Sequence, residues 1–119
     1  KMKKQIKKQE KNRVLGLFAG RHELPAEVQG YVFEGSVDPS DMETLNMEVR
    51  RALSETTSLT LYVTGLTAGT VAVCKYCMEN LVPLVLMHYD RTSGQYVEQV
   101  FLSEHQCFIL SNDYGVDYI

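Results

Sequence analysis

The 119-residue sequence predicts a small three-layer α/β domain with parallel core strands and an antiparallel edge hairpin. Three short runs of apolar and β-branched residues, 13–19, 58–64 and 82–90, alternate with two helical patterns at 41–54 and 67–79. A strand–helix–strand connection within one sheet makes its strands parallel and its crossover right-handed. After the third run, "RTSG" precedes the alternating "QYVEQVFL", which indicates a hairpin.

The elements follow from local patterns taken in chain order. The first strand, "RVLGLFA", is apolar and closed by Gly20, as expected of a buried central strand. A short extended piece is expected at Tyr31–Gly35, "YVFEG". The helix at 41–54 has Asp38 or Ser40 as a cap, and apolar residues recur along it at near-helical spacing. "SLTLYVT" at 58–64 is β-branched and aromatic, as strands are.

The second half of the chain completes the predicted sheet. The helix at 67–79 is apolar nearly all round, which predicts burial against the sheet and a homodimer that buries part of this helix or of the edge hairpin. After the hairpin, "QCFILS" is predicted to form a final strand. The resulting order, β-α-β-α-β-β-β, is that of a Rossmann-like domain spanning 13–119, preceded by a basic tail at 1–12.

The charge is distributed unevenly along the chain. Residues 1–13 carry seven basic residues against Glu10 alone, whereas the remainder carries five basic and fourteen acidic residues. Duplex nucleic acid is therefore an improbable partner, because most of the domain repels it. The chain has no apolar stretch of about 18 residues, so we expect no membrane association. Three cysteines, an odd number, favour reduced thiols and a cytoplasmic protein.

The predicted parallel strands direct attention to one edge of the sheet. In open parallel sheets, ligands bind outside the carboxyl ends of the strands. Here those ends are followed by "GRHE" at 20–23, "TGLT" at 64–67 and "DR" at 90–91. The sequence therefore predicts that these three segments converge on one ligand site.

The "TGLT" turn leads from a strand into a helix, and its glycine allows close backbone approach. A helix N-terminus presents free N–H groups and a partial positive charge, which favours a phosphate. Neither the dinucleotide nor the Walker glycine spacing is present, and a plain turn capped by Thr67 is the alternative. The candidate ligand-binding residues are Gly20, Arg21, Thr64, Gly65, Leu66, Thr67 and Arg91.

The segment "GRHELP" offers groups for chemistry as well as binding. Arg21 could bind a phosphate. His22 and Glu23 are the candidate catalytic residues: the histidine could move a proton, and the glutamate could orient the imidazole. The alternative is an exposed loop in which arginine and glutamate pair in solvent. No metal site or other cofactor is expected: "HELPA" lacks a second histidine, and Cys74 and Cys77 lie mid-helix as core residues.

The strand opening into a polar loop, then "YVTGLT" leading into a helix and a strand, carries a resemblance over Val14–Leu86. The chain resembles small hypothetical proteins of phages and prophages of Gram-positive bacteria. It also resembles the CRISPR-associated ring nucleases, which are dimeric, Rossmann-like and cleave cyclic oligoadenylates without a metal. The resemblance implies that Thr64, Gly65 and Thr67 form a phosphate-contacting turn, with Arg21 and His22 as the opposite wall.

Three functions remain open from the sequence. "GRHELP" departs from the ring-nuclease pattern, so the resemblance implies binding more than cleavage. The first hypothesis is a phage-type anti-defence binder, or sponge, for a cyclic nucleotide signal. The second is a metal-independent phosphodiesterase like the ring nucleases, and the third is a protein-interaction module without a small ligand.

Overall fold

The computed structural model describes residues 10–19 and 23–113, and within these ranges it shows a mixed α/β domain. Five strands form one sheet in the order β2-β1-β3-β4-β5, and only the β4–β5 pair is antiparallel. The elements are β1 (Asn12–Phe18), β2 (Tyr31–Phe33), α1 (Met42–Leu53), β3 (Ser58–Tyr62), α2 (Thr67–Asn80), β4 (Leu84–Asp90), β5 (Gln95–Leu102) and α3 (Glu104–Asp113).

The predicted parallel core is confirmed. In the register, Arg13 of β1 lies beside Leu59 of β3, and Thr60 of β3 lies beside Val85 of β4. The carboxyl ends of β1, β2, β3 and β4 therefore lie at one edge of the sheet, here called the carboxyl rim. The chain turns after β4 into the antiparallel β5, as the alternation in the sequence predicts.

The main core lies between one face of the sheet and the two helices α1 and α2, which pack against each other. The strands bury six leucines there, and α1 adds three apolar side chains four residues apart, because an amphipathic helix presents one apolar stripe. These core residues are Leu15, Leu17, Leu59, Leu61, Leu84 and Leu86 from the sheet, and Leu45, Val49 and Leu53 from α1.

A non-helical segment, residues 23–28, contacts the opposite face of β1 and β3, and residues 29–30 then hydrogen-bond to the backbone of β1. A Cβ at Gly16 would lie 2.7 Å from Cδ1 of Leu24 and 2.9 Å from the Tyr31 ring, so only glycine admits this cover without a shift. Farther along, the Tyr62 hydroxyl donates a hydrogen bond of 2.8 Å to Glu27. β1 at Gly16 and β3 at Tyr62 thus have contacts on both faces, with the segment 23–28 as the third layer.

The predicted final strand at "QCFILS" is wrong, because these residues lie within α3. The helix begins with a capping box: the Gln106 backbone N–H donates to Ser103 Oγ at 3.0 Å, and the Ser103 N–H donates to Gln106 Oε1 at 2.8 Å. This reciprocal pair satisfies two backbone donors at the start of a helix and outweighs the strand preference of the apolar run. The extended piece expected at 31–35 is a true strand, β2, parallel to β1.

Two further features bear on the expectations from the sequence. None of the described helices is long and apolar enough to cross a membrane. The basic tail predicted at 1–12 falls mostly outside the described residues, although β1 already begins at Asn12.

Candidate functional site

The structure places part of the predicted site at the carboxyl rim. The segments 64–67 and 90–91 follow β3 and β4, which are parallel neighbours, so both lie at this edge. Gly20, Arg21 and His22 lie outside the described residues, and their roles stay predictions. Glu23 is exposed and immediately precedes Leu24, the residue that covers Gly16.

Thr64 is a buried residue whose hydroxyl is engaged within the fold. Its Oγ1 donates to the Phe18 carbonyl oxygen at 2.7 Å and accepts from the Phe18 N–H at 3.2 Å. The side chain thereby continues the β1–β3 pairing beyond the last backbone pair and fixes the two strand ends to each other. Thr64 positions the turn that follows it, and its hydroxyl is already occupied as donor and as acceptor.

The turn after Thr64 is tight and leaves a helix end without a side-chain cap. Leu66 N–H donates to the Thr64 carbonyl at 3.0 Å, a γ-turn centred on Gly65, whose φ of 80° lies in the left-handed region that favours glycine. Thr67 is the first residue of α2, and Leu66, at the cap position, makes no side-chain capping bond. Capping by Thr67, the structural alternative raised from the sequence, is therefore not what the structure shows.

The two long helices that leave the rim differ at their N-termini. In α1, Asp41 Oδ1 accepts from the Thr44 N–H at 3.1 Å, and Glu43 adds a carboxylate to the first turn. The first turn of α2 has neither a side-chain cap nor an acidic residue. The positive end of the α2 dipole is therefore not neutralised by the helix's own side chains.

Arg91 is exposed and begins the turn of the β4–β5 hairpin. Asp90 holds that turn: its carbonyl accepts from the Gly94 N–H at 2.8 Å, and its carboxylate accepts from the Thr92 N–H at 3.2 Å. Hydrogen bonds from Ser93 and then Thr92 lower the pKa of Asp90, in agreement with a turn role. Within the described ranges, no hydrogen bond or ion pair engages the Arg91 side chain, which leaves this cation available at the rim.

A cleft of about 620 Å³ lies at the rim between the ends of β1 and β2. We call it the aromatic cleft. It is lined by Phe18 at the end of β1 and Ala19 after it, by Tyr31 and Phe33 of β2, and by Glu34, Gly35 and Ser36 after β2.

The walls of the aromatic cleft also contact the start of α2. A Cβ at Gly65 would lie 3.9 Å from Cε2 of Phe18, and a Cβ at Gly69 would lie 2.8 Å from Cε2 of Phe33. Phe33 is only 1% exposed and is therefore a fixed part of this wall. The cleft and the uncapped helix end consequently share a boundary made of two phenylalanine rings.

Sequence reasoning missed the cleft residues. The signal that could have found them is "YVF", an aromatic and β-branched run set between Gly30 and Gly35. Placed beside β1, such a run brings Glu34 and Ser36 to the same rim as the "TGLT" turn.

The cysteines lie away from this chemistry. Cys77 is fully buried in the core, and burial raises the pKa of its thiol to about 12; burial likewise raises the pKa of Cys107 to about 11. Neutral thiols are poor nucleophiles and poor metal ligands. The part of the chain that the structure describes contains no group of three His, Cys, Asp or Glu side chains placed to hold a metal ion.

Comparison with known proteins adds no relative: no family model, no curated protein and no solved structure matches this chain. Since fold alone does not fix function, the residues at the carboxyl rim are the evidence for function.

Proposed function

We propose that this protein binds a small anionic ligand, a cyclic nucleotide signal, at the carboxyl rim and acts as a phage-type anti-defence sponge. One observation carries the proposal: the α2 N-terminus, uncapped and without a carboxylate in its first turn, lies at the rim beside an open aromatic cleft. Free N–H groups at a helix N-terminus suit a phosphate. The aromatic rings of the cleft suit the remainder of a nucleotide.

The charge of the chain supports a local site rather than a general anion-binding surface. After residue 13 the chain carries five basic and fourteen acidic residues, so anions are repelled from most of the domain. Two of those five basic residues, Arg21 and Arg91, follow β1 and β4. We expect both to act together with the α2 N-terminus on the phosphate groups.

A heat-release experiment tests the proposal. The protein is mixed with a panel of cyclic dinucleotides and cyclic oligoadenylates, separated from free ligand and heat-denatured, and the released material is analysed by chromatography. Intact nucleotide supports the sponge, cleaved nucleotide supports an enzyme, and no retained nucleotide contradicts both.

Arg21→Ala tests whether the segment 20–23 takes part in binding. We expect it to weaken binding of the retained nucleotide roughly 10- to 150-fold, since a charge-assisted hydrogen bond contributes about 1.5–3 kcal/mol. Arg50→Ala, which removes an exposed arginine from the last turn of α1, is the matched control. Equal affinities for the two variants, or loss of folding in Arg21→Ala alone, would show that the loop arginine is structural.

A ring-nuclease-like phosphodiesterase is the alternative that the resemblance supports. In that case His22 moves the proton and Glu23 orients the His22 imidazole, without a metal. His22→Ala would then slow turnover and leave binding nearly intact, whereas in a sponge there is no turnover to lose.

A protein-interaction module is favoured by one observation, the edge strand β5. It is eight residues long, carries Glu98 as its one charged residue, and leaves Val97 and Val100 about half exposed. Edge strands of this kind are ordinarily shielded by lysine, proline or a covering element, so β5 is a surface for pairing with another chain. We propose that the predicted homodimer forms there; sedimentation as a monomer at micromolar concentration would contradict it.

We propose that the protein is cytoplasmic. Cys74, Cys77 and Cys107 are all free thiols, in keeping with a reducing compartment.

A further inference from the structure

We infer that the aromatic cleft is a nucleoside pocket, in which Tyr31 stacks against the base and Glu34 accepts a hydrogen bond from the nucleoside. This inference deepens the proposed function and rests on nucleotide binding at the rim. It adds an orientation: the nucleoside lies in the cleft between β1 and β2, and the phosphate lies toward the α2 N-terminus.

The cleft has the size that such a ligand requires. Its volume of about 620 Å³ lies within the range of roughly 300–1,000 Å³ that is typical of small-molecule sites. Two of its lining residues, Phe18 and Tyr31, are aromatic and partly exposed, whereas the third aromatic residue, Phe33, is buried. Aromatic side chains are the surfaces on which proteins stack nucleobases, because every base has a π-face.

The Tyr31 ring packs closely against β1 at Gly16. Two of its ring carbons, Cδ1 and Cε1, would lie 2.9 Å from a Cβ at Gly16, so the ring occupies the space that any larger residue on β1 would fill. The ring is half-buried, with part of its surface in the cleft. A ring fixed in this way costs little further ordering when a base stacks on it.

Glu34 gives the cleft its polarity. It is the one charged residue among those that line the cleft, and its exposed carboxylate makes no hydrogen bond or ion pair within the described ranges. Arg51 senses the Glu34 charge weakly: its pKa is raised mainly by its hydrogen bond to Glu48 and less by Glu34.

An ionised carboxylate is an acceptor only, so Glu34 repels phosphate and requires a donor. A nucleoside provides such donors as base amino or imino groups and ribose hydroxyls. The uncapped α2 N-terminus has the opposite preference, since it favours anions. A molecule with donors at one end and a phosphate at the other is complementary to this pair of groups, and a nucleotide is such a molecule.

The test separates the two halves of the ligand. Adenosine and guanosine carry a base and ribose without phosphate, whereas ribose 5-phosphate carries phosphate without a base. Each is titrated into ¹⁵N-labelled protein, and dissociation constants are taken from amide chemical-shift changes. The variants are Glu34→Gln and Tyr31→Leu, with Glu79→Gln in the last turn of α2 as the matched charge control.

We expect a nucleoside to bind the unaltered chain, and we expect Glu34→Gln to weaken its binding by about five- to tenfold, since the amide oxygen still accepts a hydrogen bond but no longer carries a charge. Tyr31→Leu should weaken nucleoside binding as well, whereas Glu79→Gln should leave it unchanged. Ribose 5-phosphate should bind Glu34→Gln at least as tightly as the unaltered chain, because a charge that repels phosphate has been removed. Because Glu34 is exposed, its amide variant keeps the fold, so the test does not depend on the tolerance of Tyr31 to substitution.

The outcomes distinguish this inference from the proposed function. Binding of ribose 5-phosphate without any nucleoside binding, or nucleoside binding that Glu34→Gln leaves intact, overturns the pocket and keeps the anion site. Nucleoside binding weakened in Glu34→Gln, without binding of ribose 5-phosphate to the unaltered chain, supports the pocket and contradicts the anion site. Binding of neither probe overturns both.

Discussion

Replacing Thr64 by valine should destabilise the protein markedly, although the two side chains have nearly the same shape. The substitution removes the donor to the Phe18 carbonyl, at 2.7 Å, and the acceptor for the Phe18 N–H, at 3.2 Å. Thr64 is 8% exposed, so water replaces these partners poorly. Leaving a buried backbone group unsatisfied costs about 1–3 kcal/mol, and with two groups affected we expect a loss of about 2–4 kcal/mol in the free energy of unfolding.

Urea denaturation followed by circular dichroism measures this loss, and two variants control for it. Thr64→Ser keeps the hydroxyl and should lose less than Thr64→Val. Thr67→Val changes the same residue type three positions later, where the side chain is exposed and provides no cap, so its effect should stay within about 0.5 kcal/mol. A Thr64→Val protein as stable as the Thr67→Val protein would refute the assignment of the Thr64 hydroxyl to the strand ends.

Two further predictions concern the packing of the rim and the buried ionisable groups. Gly69→Ala should destabilise the protein despite the higher helix propensity of alanine, because its Cβ would lie 2.8 Å from the buried Phe33 ring; Phe33→Leu should relieve most of that penalty in a double-mutant cycle measured in urea, and additive effects would contradict the contact. Burial raises the pKa of Tyr62, assisted by Glu27, and the pKa of Cys77, each to about 12, above ordinary values of 10.0 and 9.0. Both groups stay neutral in the folded protein while they ionise in the unfolded chain. Their contribution to the free energy of unfolding is therefore complete below about pH 9 and is lost as the pH rises toward 12. The urea midpoint should therefore fall between pH 8 and pH 10.5, less steeply in Tyr62→Phe, and a constant midpoint would contradict this.

The parallel core could be predicted from the sequence because its signals are local and redundant. The strands around 13–19, 58–64 and 82–90 are rich in apolar and β-branched residues, and the helices between them leave few topologies available. The boundaries of the structure differ from the predicted ones by one or two residues, chiefly where a strand end such as Thr64 pairs through its side chain.

One element, α3, was misjudged, and another, β2, was expected as an extended piece without its partner strand. In α3, the apolar run "CFIL" has the composition of a strand, but the preceding Ser103 and Gln106 form a capping box that begins a helix. In β2, only three residues form the strand, and their pairing with β1 is a long-range property that no local pattern reveals.

The same limit applies to the candidate site. The "TGLT" turn could be found because glycine after a strand and before a helix is a local signal, whereas the aromatic cleft depends on the pairing of β1 with β2. Arg21 and His22, the residues that first indicated a site, remain to be tested by substitution.

The position of β1 between β2 and β3 has a consequence for synthesis of the chain on the ribosome. Asn12 pairs with Ser58, 46 residues later, so a growing chain holds β1 for about 2–9 s before its second neighbour has been made, at 5–20 residues per second. During that interval Leu15 and Leu17 have no α2 to cover them, and β2 supplies only three residues of pairing. The apolar segment 14–18 of the nascent chain therefore lacks its second neighbouring strand until β3 has been synthesised.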